Sequence, residues 1–417
     1  MKCGLLGRRL GHSYSPQIHR YLGDYPYGLF EKEPEELEDF LRKGDFTGLN
    51  VTMPYKMAVI PFLDVLSDDA ARLGAVNTIV RRDGKLLGHN TDYFGFLSLL
   101  KQSGLSPAGK KCLVLGSGGA SKVAVAVLAE AGADVVVISR SGSDNYGNLQ
   151  KHQDAAILVN ATPVGMYPDT GVSPVDLALF PRLEGVLDMV YNPARTRLLL
   201  DAEKRGLIAL SGLWMLVAQA KAAAEWFTGH AIPEEKIEKI HSILKNQSEN
   251  IILIGMPGCG KSTVGRLLAE KTGRPFVDAD AEIIKLAKKS ILDIFAQDGE
   301  EAFRALESQV LTELGKQSSL VIATGGGCVT RAENYPLLHQ NGRIFWLQRN
   351  LEKLPTEGRP LSVDLQSMYR VRAPLYEAFA DGVIDNNGTP AETVSQIEAQ
   401  LQDSGPSGTP VSTKEKL

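Results

Sequence analysis

The stretch Gly255-Met-Pro-Gly-Cys-Gly-Lys-Ser-Thr263 constrains this chain more than any other. It directly follows the apolar run Ile251 to Ile254 and directly precedes a segment that reads as an amphipathic helix. Buried strand, tight glycine loop and helix start form the context in which G-x-x-x-x-G-K-[ST] holds phosphate, through backbone N–H groups and the positive end of the helix. An ATP or GTP site follows, built from Gly258, Cys259, Gly260, Lys261, Ser262 and Thr263. Lys261 would reach the β- and γ-phosphates, and the Ser262 hydroxyl would ligate Mg²⁺.

Some 250 residues precede this loop, so the 417-residue chain is too long for one ordinary core and predicts two or three domains. With 43% hydrophobic and 23% charged residues it has the composition of a soluble globular enzyme. A net charge of -4 argues against nucleic acid or an acidic membrane surface as the main partner. Cys3, Cys112, Cys259 and Cys328 are scattered without zinc spacing, which predicts a reduced, cytoplasmic protein. No secretory signal is read at the N-terminus, and no apolar run approaches the ~20 residues of a membrane span.

From the start of the chain, Lys2 to Leu6 reads as a strand, followed by a polar loop holding His12, Ser13, Ser15 and Pro16. Ser13 and Ser15 either cap the helix that follows or face one small polar ligand. Leu49 to Thr52 reads as a strand broken by Pro54, with Lys56 at a helix start, where open α/β sheets place their ligands. Thr78 to Arg81 and Lys85 to Leu87 read as a hairpin across Asp83-Gly84. Asn77 and Asp92 lie beside glycines at the edges of these strands.

In order, H-S-x-S-P from His12, N-V-T-x-P-x-K from Asn50, G-A-V-N-T from Gly74 and N-T-D-x-x-G from Asn90 resemble the substrate domain of shikimate dehydrogenases. The resemblance implies that Ser13 and Ser15 hydrogen-bond a substrate carboxylate, with Thr52, Lys56, Asn77 and Asp92 around the ring hydroxyls. Lys56 and Asp92 match the family's catalytic pair.

Cys112 to Leu115 is a buried strand running into Gly116-Ser-Gly118-Gly119-Ala120-Ser121 and an alanine-rich helix, with a second strand over Val135 to Ile138. This βαβ context predicts a Rossmann dinucleotide site at Gly116, Gly118, Gly119 and Ala120. Where NAD enzymes carry an acid, this chain has Ser139-Arg140-Ser141, and an arginine flanked by hydroxyls favours the 2′-phosphate of NADP(H). From Arg140 to Asn160-Ala-Thr162 there are only about twenty residues, where the family fits a helix, a strand and a further turn. One crossover is therefore expected to be trimmed to a loop. The resemblance adds Asn160, Thr162, Val190 and Gly212 to the NADP site, and Tyr191 and Gln219 to the substrate site. Ser211 onward reads as a long helix returning to the first domain, and 246–250 as a polar connector.

Beyond the P-loop, Phe276 to Asp280 reads as a strand ending in two carboxylates. The ordered set D-x-D from Asp278, F-R-x-x-E from Phe303, G-G-G from Gly325, R-P-L from Arg359 and R-A-P-L-Y from Arg372 resembles shikimate kinase. It implies that Arg304 and Arg372 pair with the shikimate carboxylate. Asp280 would accept the attacking hydroxyl's proton, Asp278 would support Mg²⁺ with Ser262, and Gly326 and Gly327 would let backbone approach the substrate. Arg359 would close over ATP from a lid shorter than many in the family. The segment 403–417, rich in Ser, Gly, Pro and Thr, reads as a disordered tail.

These expectations combine into an α/β chain: a substrate domain over 1–98 and 212–245, a shortened Rossmann domain over 99–211, a connector, and a P-loop kinase domain with a parallel sheet over 251–402. The implied enzyme is bifunctional, reducing 3-dehydroshikimate with NADPH and phosphorylating shikimate with ATP and Mg²⁺. A quinate/shikimate dehydrogenase, or a non-catalytic docking module ahead of an active kinase, is the alternative. Oligomeric state is not legible in the sequence.

Overall fold

A computed structural model describes residues 1–11, 13–354 and 365–402. The expected lid residue Arg359, His12 and the tail 403–417 lie outside the described residues. The chain divides into two compact units, the first spanning Met1–Val164, Pro174–Tyr191 and Asp201–Ile243, the second Gly165–Ser173, Asn192–Leu200 and Leu244–Leu417.

The first unit holds two sheets. One is six-stranded and mixed, with strands β1 (Cys3–Gly7), β2 (Tyr27–Glu31), β3 (Gly48–Val51), β4 (Val65–Leu66), β5 (Thr78–Arg82) and β6 (Lys85–His89) in the order β2-β1-β3-β5-β6-β4. β5 and β6 pair antiparallel, and the turn between them has positive φ at both Asp83 and Gly84, the geometry that the Asp-Gly pair serves. A core of Leu6, Leu49, Val51, Tyr55 and Ile79 lies beneath this sheet.

The other sheet holds β7 (Lys111–Leu115), β8 (Asp134–Ile138), β9 (Ile157–Asn160), β10 (Gly185–Asp188) and β11 (Ile208–Ser211) in the order β11-β10-β9-β7-β8, all parallel. This is the doubly wound order without its third strand, so β8 stands at the edge. Between β8 and β9 the chain makes only a short 3₁₀ turn, Leu149–His152, in place of a full crossover. Asparagines pin that loop: Asn145 N donates to Asn148 Oδ1 (2.9 Å), and Asn148 Nδ2 to Ser143 O (2.8 Å). β11 has no counterpart in the sequence reading. Its short Ile-Ala-Leu-Ser run gains strand geometry only by pairing with β10, and the long helix starts after it, at Leu213.

The second unit carries β12 (Asn250–Ile254), β13 (Phe276–Asp278), β14 (Val321–Ala323), β15 (Gly342–Gln348) and β16 (Gly382–Asp385) in the parallel order β13-β14-β12-β15-β16. β12 is central, and Ile251 to Ile254 are fully buried, each stabilising the fold by about 2 kcal/mol. Of the residues expected to form a connector, all but Glu249 belong to regular structure instead. The helix Glu235–Ser248 runs on to Ser248 and β12 begins at Asn250, whose buried amide donates to Gln317 O (2.8 Å). A polar side chain satisfied inside the fold looks, in sequence, like one facing solvent.

Candidate active sites

In the first unit, β3 ends at Val51 and the chain turns into the short helix Tyr55–Ala58, which carries Lys56. The helix Asp92–Ser103 starts with Asp92, after β6. Lys56 Nζ donates to Asp92 Oδ2 at 2.6 Å, with both side chains partly buried. Asn90 holds this helix start in place, because its Oδ1 accepts from Asp92 N (3.2 Å) while its Nδ2 donates to Ala75 O (2.9 Å). Asn77 is buried, and its Oδ1 accepts from Thr91 N (2.7 Å), Thr91 Oγ1 (3.1 Å) and Thr78 Oγ1 (3.1 Å). The amide is thereby oriented from behind.

The network extends beyond the residues expected from sequence. Asn50 Nδ2 donates to Thr78 Oγ1 (3.4 Å), and Tyr27 Oη donates to Asn50 Oδ1 (2.7 Å). Tyr27 stacks on His19 at 4.0 Å. Ser13 Oγ accepts from Ser15 N (3.2 Å), but neither serine caps the helix Ser15–Leu22, which starts with a Pro in its first turn. Thr52 is half-buried after β3, its N–H bonded to Leu6 O (2.9 Å). Tyr191, 37% exposed, meets Tyr14 edge-on at 6.0 Å. Gln219 lies on the helix Leu213–Thr228, its Nε2 donating to Leu216 O (2.8 Å). The two long helices approach closely because Gly95 has no side chain, a Cβ there meeting Gln219 Cβ and Met215 O at 2.9 Å.

The glycine turn after β7 fits a dinucleotide phosphate. Gly118 is the N-cap of the helix Gly119–Glu130, and a Cβ on Gly118 or Gly119 would meet nothing within 4 Å, so the helix N-terminus opens to space. Gly116 has φ +108° and backs closely onto Ala161 O. Ala120 and the buried Ser121 continue the first helical turn. Arg140 is exposed beyond β8, next to Ser139, whose N–H bonds Asp144 O (3.2 Å). Asn160 is fully buried and engaged within the fold, donating to Asp188 Oδ1 (2.9 Å) and accepting from Thr162 Oγ1 (2.7 Å). Val190 N bonds the same Asp188 Oδ1 (3.0 Å), and Gly212 N bonds Val190 O (3.0 Å). A Cβ at Gly212 would lie 2.2 Å from Met189 O, which explains the glycine.

In the second unit the P-loop wraps from Gly255 to the helix Lys261–Thr272, with Gly255, Gly258 and Gly260 all at positive φ. Cys259 is buried beneath it, and Thr263 follows in the first helical turn. Lys261 is 8% exposed, its Nζ donating to Gly255 O (2.8 Å) and Met256 O (3.1 Å). Ser262 Oγ donates to Asp278 Oδ2 (2.7 Å), so a hydroxyl and a carboxylate converge beside the loop. An all-oxygen pair of this kind suits Mg²⁺.

Asp280 corrects the expectation of a strand bearing both carboxylates. β13 ends at Asp278, which caps the helix Ala279–Ala287 by accepting from Asp280 N (3.1 Å), so Asp280 occupies the first helical turn. The D-x-D spacing fits either geometry, and the cap decides between them. Asp280 and Glu307 both reach Gly325, where a Cβ would lie 2.9 Å and 2.6 Å from their oxygens. A Cβ on Gly327 would strike the Arg304 guanidinium at 2.2 Å, and one on Gly326 would strike Pro257. Arg372 NH1 donates to Gly326 O (3.1 Å). The triple glycine thus gathers Asp280, Arg304 and Arg372 around one point.

Glu307 has no role in the sequence reading. It is fully buried, and its Oε2 accepts from Arg304 NH1 (2.7 Å). Burial raises its pKa, against the pull of Arg304. Its one sequence signal is the three-residue spacing from Arg304, which puts both on one helix face.

Fold and sites together define an α/β enzyme that joins a dinucleotide-binding oxidoreductase to a P-loop phosphotransferase. A shikimate dehydrogenase (NADP(+)) of Clostridium perfringens is 36% identical over 264 residues, covering 58% of this chain and 97% of the relative. The chain belongs to the shikimate dehydrogenase family, and it also carries a shikimate kinase domain. Family models described as the shikimate dehydrogenase substrate binding domain, the shikimate 5'-dehydrogenase C-terminal domain and shikimate kinase match residues 5–79, 212–240 and 257–402.

Among solved structures, shikimate dehydrogenase 1 from Peptoclostridium difficile is similar at 36% identity and TM-score 0.54, covering 58% of this chain and 97% of that one. The Thermus thermophilus shikimate 5-dehydrogenase, solved with NADP(H) and shikimate, matches at 35% identity and TM-score 0.52, covering 58% and 98%. A chorismate mutase/shikimate 5-dehydrogenase fusion from Clostridium acetobutylicum matches at 34% and TM-score 0.56, covering 58% and 97%. Among the described residues no helix is long and apolar enough to cross a membrane.

Proposed function

We propose that this chain catalyses two reactions of the shikimate pathway: reduction of 3-dehydroshikimate to shikimate, then phosphorylation of the shikimate 3-hydroxyl. The observation that carries the first is the Lys56–Asp92 pair at 2.6 Å beside the oriented amide of Asn77. NADPH, when bound along Gly116 to Ala120 with its 2′-phosphate toward Ser139 and Arg140, supplies the hydride. Lys56 donates the proton to the oxygen that becomes a hydroxyl, and Asp92 holds the ammonium in place. Ser13 and Ser15 bind the substrate carboxylate, while Thr52, Asn77, Tyr191 and Gln219 enclose the ring. Asn160, Thr162, Val190 and Gly212 shape the loops that border the nicotinamide.

In the second reaction Lys261 and the P-loop amides hold the ATP phosphates, and Ser262 and Asp278 hold Mg²⁺. Arg304 and Arg372 clamp the carboxylate of shikimate, which sets its 3-hydroxyl toward Asp280, the acceptor of the hydroxyl proton. Glu307 fixes the Arg304 fork from behind, and Arg359 closes the site. We place the substrate domain at 1–98 and 212–245, the dinucleotide domain at 99–211 and the kinase domain at 251–402, in a cytoplasmic protein with no nucleic-acid or membrane partner.

A coupled assay tests the proposal: the purified chain with 3-dehydroshikimate, NADPH, ATP and Mg²⁺, following NADPH loss and shikimate 3-phosphate together. Phosphate transfer from ATP to added shikimate without NADPH oxidation would leave the first unit as a docking module. Faster turnover of quinate than of shikimate would make it a quinate dehydrogenase.

A further inference from the structure

Arg349 stands beside the P-loop and belongs to none of the motifs described above. It follows β15, the neighbour of β12 in the sheet, at the C-terminal end where parallel sheets bind ligands. A Cβ built on Gly260 would lie 3.6 Å from Arg349 NH1 and equally close to Asn386 Nδ2. The guanidinium therefore flanks the glycine that precedes Lys261. Its Nε is buried and has no hydrogen-bond partner among the described residues.

The backbone that carries Arg349 is held firmly. Asn386 N donates to Gln348 O (2.8 Å), Asn350 N to Asn387 Oδ1 (2.9 Å) and Lys353 Nζ to Asn387 O (3.0 Å). Asn386 is itself buried, donating its amide to Cys259 O of the P-loop and accepting from Thr393 Oγ1 (2.7 Å). Strand end, Asn386 turn and P-loop thus form one hydrogen-bonded block, and Arg349 projects from it with a donor unsatisfied. A buried unpaired donor is costly, and a ligand oxygen that reached the guanidinium would offset that cost.

We propose that Arg349 is a nucleotide-binding residue, its guanidinium engaging the phosphate chain of ATP on the Gly260 side of the P-loop. The assignment rests on the kinase reading of this unit. It adds to the P-loop site a cation fixed by the end of β15 and the Asn386 turn.

The test uses R349A and R349K in the full chain. Kinase rates are measured with ATP and shikimate varied separately, ADP affinity by calorimetric titration, and NADPH oxidation as a check on folding. R349A should raise KM for ATP and Kd for ADP about tenfold, the scale of one charge-assisted contact, with KM for shikimate and NADPH oxidation within about twofold. R349K, which keeps the charge, should recover much of the loss. Unchanged ADP affinity in R349A, or equal losses in R349A and R349K, overturns the assignment. If the unsubstituted chain binds ADP but transfers no phosphate to shikimate, the kinase reading fails while the ADP comparison still decides the role of Arg349.

Discussion

The Lys56 ammonium and the Asp92 carboxylate meet at 2.6 Å across a sequence separation of 36 residues. Each sits in the first turn of its own helix, so rigid elements set their distance. Replacing Lys56 by Ala should lower kcat of the reduction by about 10²–10⁴-fold, the usual worth of a positioned proton donor. The melting temperature should stay near that of the parent, because the lysine is partly exposed. Steady-state NADPH oxidation checks this, and turnover within a few-fold of the parent would remove Lys56 from the mechanism.

Cofactor choice is read from Arg140, exposed at the edge strand β8. The chain should prefer NADPH to NADH by about tenfold or more in kcat/KM, since a guanidinium pairs with the 2′-phosphate that NADH lacks. Arg140→Ser should narrow the gap through KM. Equal kcat/KM for the two cofactors would refute the NADP assignment.

Ser262 Oγ and Asp278 Oδ2 are 2.7 Å apart, and these two oxygens would hold the metal. Chelation with EDTA should abolish phosphate transfer while NADPH oxidation continues in the same sample. Asp278→Asn should raise the Mg²⁺ concentration needed for half-maximal kinase rate by about tenfold, a scale typical of groups that orient a metal shell.

Arg372 bonds the carbonyl of Gly326 and stands with Arg304 at the triple glycine. Arg372→Ala should raise KM for shikimate by about tenfold or more and leave KM for ATP within about twofold, because it removes one carboxylate fork and no P-loop contact. Equal changes in both constants would exclude the carboxylate role.

Two buried histidines predict acid sensitivity of the first unit. Burial holds the His19 pKa down at about 3 and that of His89 at about 4. Below pH ~6.5 the unfolded chain takes up protons at these sites and the folded chain does not. Stability therefore falls as pH drops through that value, by about 1 kcal/mol per histidine between pH 7 and 5.5. His89 stacks on Trp226 at 3.6 Å, so His89→Phe keeps a ring there and removes the titration. Urea midpoints at the two pH values should differ less in the variant than in the parent.

Much of both sites is legible in the sequence because phosphate loops are local devices. Gly116 to Ser121 and Gly255 to Thr263 each follow a buried strand and open a helix, and all three elements lie within a short stretch of chain. The trimmed crossover is legible for a similar reason, since chain length alone bounds what fits between β8 and β9. What escapes sequence reading are features whose partners lie far away along the chain. Asn250 looks like solvent-facing connector while Gln317 is out of sight, and β11 has no strand signal until β10 lies beside it. Glu307 closes the F-R-x-x-E run, but its role shows only when Arg304, Asp280 and Gly325 close around it.

The sequence by itself determined the chemistry available to this protein: which glycines can line phosphates, which lysine and arginines carry charge, and that two nucleotide loops share one chain. The tertiary structure alone decided which of those groups meet, such as Lys56 with Asp92, Ser262 with Asp278, and Arg349 with the flank of Gly260. Local backbone preferences reach only a few residues along the chain. Close approaches between remote side chains are set by how strands pair and helices pack, and those pairings depend on the whole sequence at once.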